Sequence, residues 1–139
     1  MSVTPGVPQT VRDTLNNILN RLTSIDVAVG GGTAFNQYGQ DTSVVTTTDT
    51  QLVSYTVPAG QTANIAGFSG TGGATGRFTL KIDGTAKAVI RTSAAKRSET
   101  AYFGGGVISA AAGEEITVTG YHEETPNQTL EANVFGTLA

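Results

Sequence analysis

The stretch Arg77-Phe78-Thr79-Leu80-Lys81-Ile82-Asp83-Gly84-Thr85-Ala86-Lys87-Ala88-Val89-Ile90-Arg91 decides how the chain reads. Phe78, Leu80 and Ile82 alternate with polar residues, and Ala86, Ala88 and Ile90 resume a period of two after a short break. That period puts successive side chains on opposite faces, as in a half-buried strand. The break is Asp83-Gly84, a pair that tolerates the positive φ angles of a tight hairpin turn. The stretch therefore predicts a β-hairpin with strands at 77–82 and 85–92.

Outward from this hairpin the same grammar repeats. Strands are predicted at 43–48, 51–57, 62–69, 100–103, 106–109, 115–122 and 129–138. Pro58-Ala59-Gly60, Ala112-Gly113 and Thr125-Pro126-Asn127 supply turns between them. The run from Gly70 to Gly76 reads as a Gly/Thr loop. No helical pattern separates these strands, so residues 35–139 are expected to form a mainly β domain, an antiparallel β-sandwich of jelly-roll type.

The pattern changes at Gly30-Gly31-Gly32. Before it, Val11, Leu15, Ile18, Leu22, Ile25 and Val29 are spaced 4, 3, 4, 3 and 4 apart, a heptad seam. Residues 10–29 are expected to be an amphipathic helix, with Thr10 as N-cap and Asp13 beside its positive end. Residues 30–34 would be a glycine hinge, and residues 1–9 an extended arm stiffened by Pro5 and Pro8. Three uses of the seam stay open: packing on the chain's own β domain, self-association, or docking on another protein. With Leu15 and Leu22 at a and Ile18 and Ile25 at d, a coiled coil would favour three or four strands over two.

Composition excludes several functions. The 139 residues contain no Cys and one His, so no disulfide framework, thiol chemistry or multi-His metal site arises within one chain. The net charge of -3 argues against a sequence-independent nucleic-acid binder. No segment reaches the length of a membrane span, and Met1 to Gln9 does not read as a secretory signal, so synthesis in a cytoplasm is expected.

The sequence offers few groups for chemistry. The Gly70–Gly76 run lacks the Lys-Ser/Thr ending of a phosphate-binding loop and is followed by a strand. His122, beside Glu123 and Glu124, is expected to sit exposed at a strand end and to hold no metal. Glu114 and Glu115 are adjacent, so they would face opposite sides and not flank one bond. Arg91, Lys96 and Arg97 form a small basic stretch read as solvated loop charge. No catalytic residue, cofactor or metal site is assigned, and the chain is not expected to be an enzyme.

An arm, a heptad helix, a Gly hinge and a Thr/Gly-rich β domain together resemble bacteriophage virion appendage proteins. These are capsid decoration (cement or head-fibre) proteins and small trimeric tail-fibre modules. The likeness is carried by Tyr55-Thr56-Val57-Pro58-Ala59-Gly60-Gln61-Thr62, by Ala112-Gly113-Glu114-Glu115-Ile116-Thr117-Val118, and by Leu130-Glu131-Ala132-Asn133-Val134-Phe135-Gly136-Thr137-Leu138. The resemblance implies a homotrimer on the virion surface, with a major capsid protein or another virion protein as partner. Neither nucleic acid nor membrane would be a partner. The arm, with Val3, Pro5, Val7 and Pro8, is the expected foothold. The other reading is a lectin-like module for a host-surface glycan, with Tyr38, Tyr102 and Tyr121 as the residues available to stack on sugars.

Overall fold

The computed structural model describes residues 32–139. The arm, the helix and its seam (Val11, Leu15, Ile18, Leu22, Ile25, Val29), and the foothold residues Val3, Pro5, Val7 and Pro8 lie outside the described residues. So do the hinge residues Gly30 and Gly31.

Among the described residues nine strands run in chain order: β1 (Thr33–Val44), β2 (Thr50–Thr56), β3 (Ala63–Thr71), β4 (Arg77–Ile82), β5 (Thr85–Arg91), β6 (Ser98–Tyr102), β7 (Ser109–Ala110), β8 (Glu115–Tyr121) and β9 (Gln128–Leu138). They form two antiparallel sheets. The first has the order β1-β9-β3-β6, with β7 also on β3; the second has the order β2-β8-β4-β5. β6 and β7 pair with successive parts of β3, Gly67 to Thr71 and then Ala63 to Asn64. They are thus one edge strand interrupted by Gly104-Gly105-Gly106. Counted that way, eight strands divide between two four-stranded sheets, with the chain crossing between them at every step except the β4–β5 hairpin, the double Greek key of a jelly roll.

The core lies between the sheets. Ile65, Phe68, Leu130 and Val134 from the first sheet meet Phe78, Leu80, Ile116 and Val118 from the second, all almost wholly buried. Burying each such side chain contributes about 1.5–3 kcal/mol. Phe35 of β1 stacks on Tyr55 of β2 with ring centroids 5.5 Å apart, linking the two sheets.

The predicted hairpin is present at Arg77–Ile82 and Thr85–Arg91. Its turn residue Asp83 has φ 48°, and its Oδ1 accepts a hydrogen bond from the Glu115 amide at 2.8 Å. Asp83→Ala removes that bond and places Ala in a left-handed conformation, so stability should fall by about 1–2 kcal/mol. Urea unfolding checks this, and Asp83→Asn should lose less, since Asn tolerates that conformation.

Two expectations about β1 are corrected. The strand predicted at 43–48 is only the end of a longer one, and Thr46 to Thr48 lie in the turn that follows it. Thr33 and Ala34, expected in the hinge, pair with Leu138 and Thr137 and belong to β1. The chain therefore enters the sandwich beside its own C-terminal strand.

Candidate functional site

The outward faces of the two sheets differ in chemistry. On the first sheet, the register sets Asn36 opposite Phe135, Tyr38 opposite Asn133 and Gln40 opposite Glu131. β3 continues these rows with Gly67, Ser69 and Thr71, and β6 adds Tyr102, Thr100 and Ser98. Among the described strand residues of this face, Glu131 is the one charged side chain. Tyr38 is 61% exposed and Tyr102 78% exposed. Tyr102 meets the Phe135 ring edge-on at 6.0 Å, over the bare backbone of Gly67. The Tyr38 phenol is held above its usual range, by desolvation first and then by the Glu131 carboxylate beside it.

The outward face of the second sheet is a groove. It comprises two adjoining hollows of about 580 Å³ and 410 Å³, which share Lys81 and Thr119. The polar phase of β4, Arg77, Thr79 and Lys81, runs along it. Thr119 and Thr117 of β8 lie across from Thr79 and Lys81. Arg77 is also directly opposite Arg91 of β5. Its guanidinium lies 4.3 Å from the centre of the Tyr121 ring and 3.5 Å from Asp49. Arg91 has no ion pair among the described residues. Asp83 and Glu115 line the other hollow.

The residues singled out in the sequence fall differently from expectation. His122 is not exposed but wholly buried. Its Nδ1 accepts the Glu124 amide at 3.1 Å, which leaves the proton on Nε2 to be donated to the Val44 carbonyl at 2.7 Å. This is a neutral structural imidazole. The signal was present, since His122 continues the inward phase of Ile116, Val118 and Gly120.

The glycine-rich loop does hold an anion, and the anion is the chain's own. The amides of Ala74 and Thr75 both donate to Glu124 Oε1, the second at 3.0 Å. Adjacent backbone amides turned inward make such an anion nest. Buried Thr92 braces the loop from behind, accepting from the Gly76 amide and donating to the Gly73 carbonyl.

Glu114 and Glu115 do separate, as their adjacency predicts. Glu114 Oε1 accepts the Ala111 amide, while Glu115 Oε1 accepts the Ser54 hydroxyl at 3.1 Å. The basic stretch also separates. Lys96, on the β5–β6 connection, pairs with Glu99 of β6, which holds that carboxyl below its usual range. Arg91 instead joins Arg77 and Lys81 at the groove. Those two were missed in the sequence, although they occupy the polar phase of the best-read strand. Tyr121 is taken by its contact with Arg77, which leaves Tyr38 and Tyr102 as freely exposed aromatics.

Among the described residues, no group of three or more His, Cys, Asp or Glu is placed to hold a metal ion, and no helix is long and apolar enough to cross a membrane. No family model and no curated protein matches the chain. One solved structure with some likeness is the carbohydrate-binding module CBM36 in complex with calcium and xylotriose. It is 19% identical over 63% of this chain and 71% of its own, with a TM-score of 0.36. At that score the likeness carries no argument about function.

Proposed function

We propose that the protein is a structural module of a phage virion, a homotrimeric decoration or head-fibre protein on the capsid surface. The virion setting rests on the sequence resemblance, and the observation that supports the homotrimer is the outward face of the first sheet. It is nearly free of charge, rich in Asn, Ser and Thr, and set with Tyr38, Phe135 and Tyr102. Depletion of charge and enrichment in aromatic residues mark the cores of protein interfaces. A face of this kind suits packing against further copies around a symmetry axis. The heptad seam of the preceding segment supports the same reading, since Leu at a with Ile at d favours more than two strands.

The experiment is direct. Virions purified from the parent phage should carry the chain at a fixed ratio to the major capsid protein. A chain lacking residues 1–9 should rebind stripped particles poorly. Absence from particles would remove the reading, and full rebinding of the truncated chain would remove the foothold.

Binding of a saccharide is the second reading, and a specific observation favours it: the polar groove on the opposite sheet.

A further inference from the structure

We propose that the groove on the outward face of the second sheet is a binding site for an acidic saccharide, a short chain containing uronic-acid-type sugars. Four observations converge on it. The first is size. Hollows of about 580 Å³ and 410 Å³ joined along one face lie in the range of small-molecule sites.

The second is an electrostatic anomaly. Arg77 and Arg91 are directly opposite each other on neighbouring strands, and like charges so placed destabilise a sheet. Lys81 lines the same hollow. Among the described residues lining that hollow Asp49 is the one carboxylate, and it lies 3.5 Å from Arg77. Three cations against one carboxylate leave that end of the groove positive. A ligand carboxylate between the two guanidiniums would relieve their repulsion through charge-assisted hydrogen bonds.

The third is the floor. Thr119 lies where the two hollows meet and is only 9% exposed, yet its Oγ1 has no hydrogen-bond partner among the described residues. A buried hydroxyl without a partner costs about 1–3 kcal/mol. Gln51, opposite Thr119 on β2, and Lys81 line the same hollow, and movement of these long side chains would let a ligand hydroxyl reach it.

The fourth is the opposite end, where Asp83 and Glu115 line the second hollow. Carboxylates there accept hydrogen bonds from sugar hydroxyls and repel polyanions. This favours a ligand with hydroxyls beside its carboxylates, as a uronic-acid chain has, over one that presents anionic groups alone. The groove and the charge-poor face lie on opposite sheets, so the proposal stands whether or not the chain trimerises.

The test is amide NMR and calorimetry on the full chain with trigalacturonate as probe. Maltotriose (neutral), triglutamate (same charge, no sugar) and inorganic phosphate are the comparisons. Trigalacturonate should shift the amides of Thr79, Thr117 and Thr119 and bind at least tenfold more tightly than any comparison. Lys81→Gln should weaken it about tenfold. Thr119→Val, which keeps shape and removes the unpartnered hydroxyl, should weaken it several-fold while leaving thermal stability equal or higher. No shift at millimolar trigalacturonate would overturn the site. Equal binding of triglutamate or phosphate would overturn the saccharide assignment, and unchanged affinity in Lys81→Gln would overturn the groove as its location.

Discussion

His122→Ala should lower the stability of the folded chain by about 3–5 kcal/mol, one of the largest effects of any single substitution. The imidazole donates to the Val44 carbonyl at the end of β1 and accepts the Glu124 amide after β8. Its own carbonyl accepts the Thr47 amide at 2.7 Å, in the turn between β1 and β2. Truncation orphans the buried Val44 carbonyl, costing about 1–3 kcal/mol, and the half-buried Glu124 amide, costing less, and opens a cavity besides. The melting temperature should drop on the order of 15 °C or more at fixed protein concentration. His122→Phe separates the contributions: it refills volume but restores neither bond, and should still cost about 2 kcal/mol. Losses below about 1 kcal/mol in both variants would show that His122 does not join these loops. Glu124, displaced with it, would also release the amides of Ala74 and Thr75, so hydrogen exchange there should quicken.

The second large effect lies at the contact of Gly70 with Phe78, across the core between β3 and β4. A Cβ at Gly70 would fall within the Phe78 ring, and both residues are buried. Gly70→Ala should therefore cost about 1–3 kcal/mol through overpacking. Phe78→Ala should cost about 3–5 kcal/mol through the cavity it leaves. The two should not add. With Phe78→Ala in place the ring atoms that the added methyl would meet are gone, so Gly70→Ala should cost little, a coupling of about 1 kcal/mol or more. Denaturant unfolding of the four proteins of that cycle decides it, and strict additivity would contradict the contact.

Particular residues show how much of this was legible in the sequence. Phe78, Leu80 and Ile82 declared β4, and Asp83-Gly84 declared its turn, because local alternation and turn chemistry agree there. Most of β1 was not legible. Asn36, Gly39 and Asp41 are residue types that strands disfavour, and the strand exists because Gln37, Gly39 and Asp41 pair with Val134, Ala132 and Leu130 of β9. That pairing spans nearly the whole domain, and local propensity yields to it. His122 was misjudged because the neighbouring Glu123 and Glu124 suggested solvent, although its phase on β8 pointed inward. The groove was half legible. Arg77, Thr79 and Lys81 could be read as one polar face. Their adjacency to Arg91 and Thr119 depends on the order β2-β8-β4-β5, which no local signal encodes.

The proposed trimer makes the charge-poor face the place where copies of the chain meet. Light scattering coupled to gel filtration tests this on the full-length protein. It should give a particle of three times the 14.2 kDa chain mass. Tyr38→Glu combined with Tyr102→Glu should shift it to smaller species while leaving the β-sheet circular dichroism intact. A wild-type mass of one chain at micromolar concentration, or a trimer indifferent to both substitutions, would contradict it.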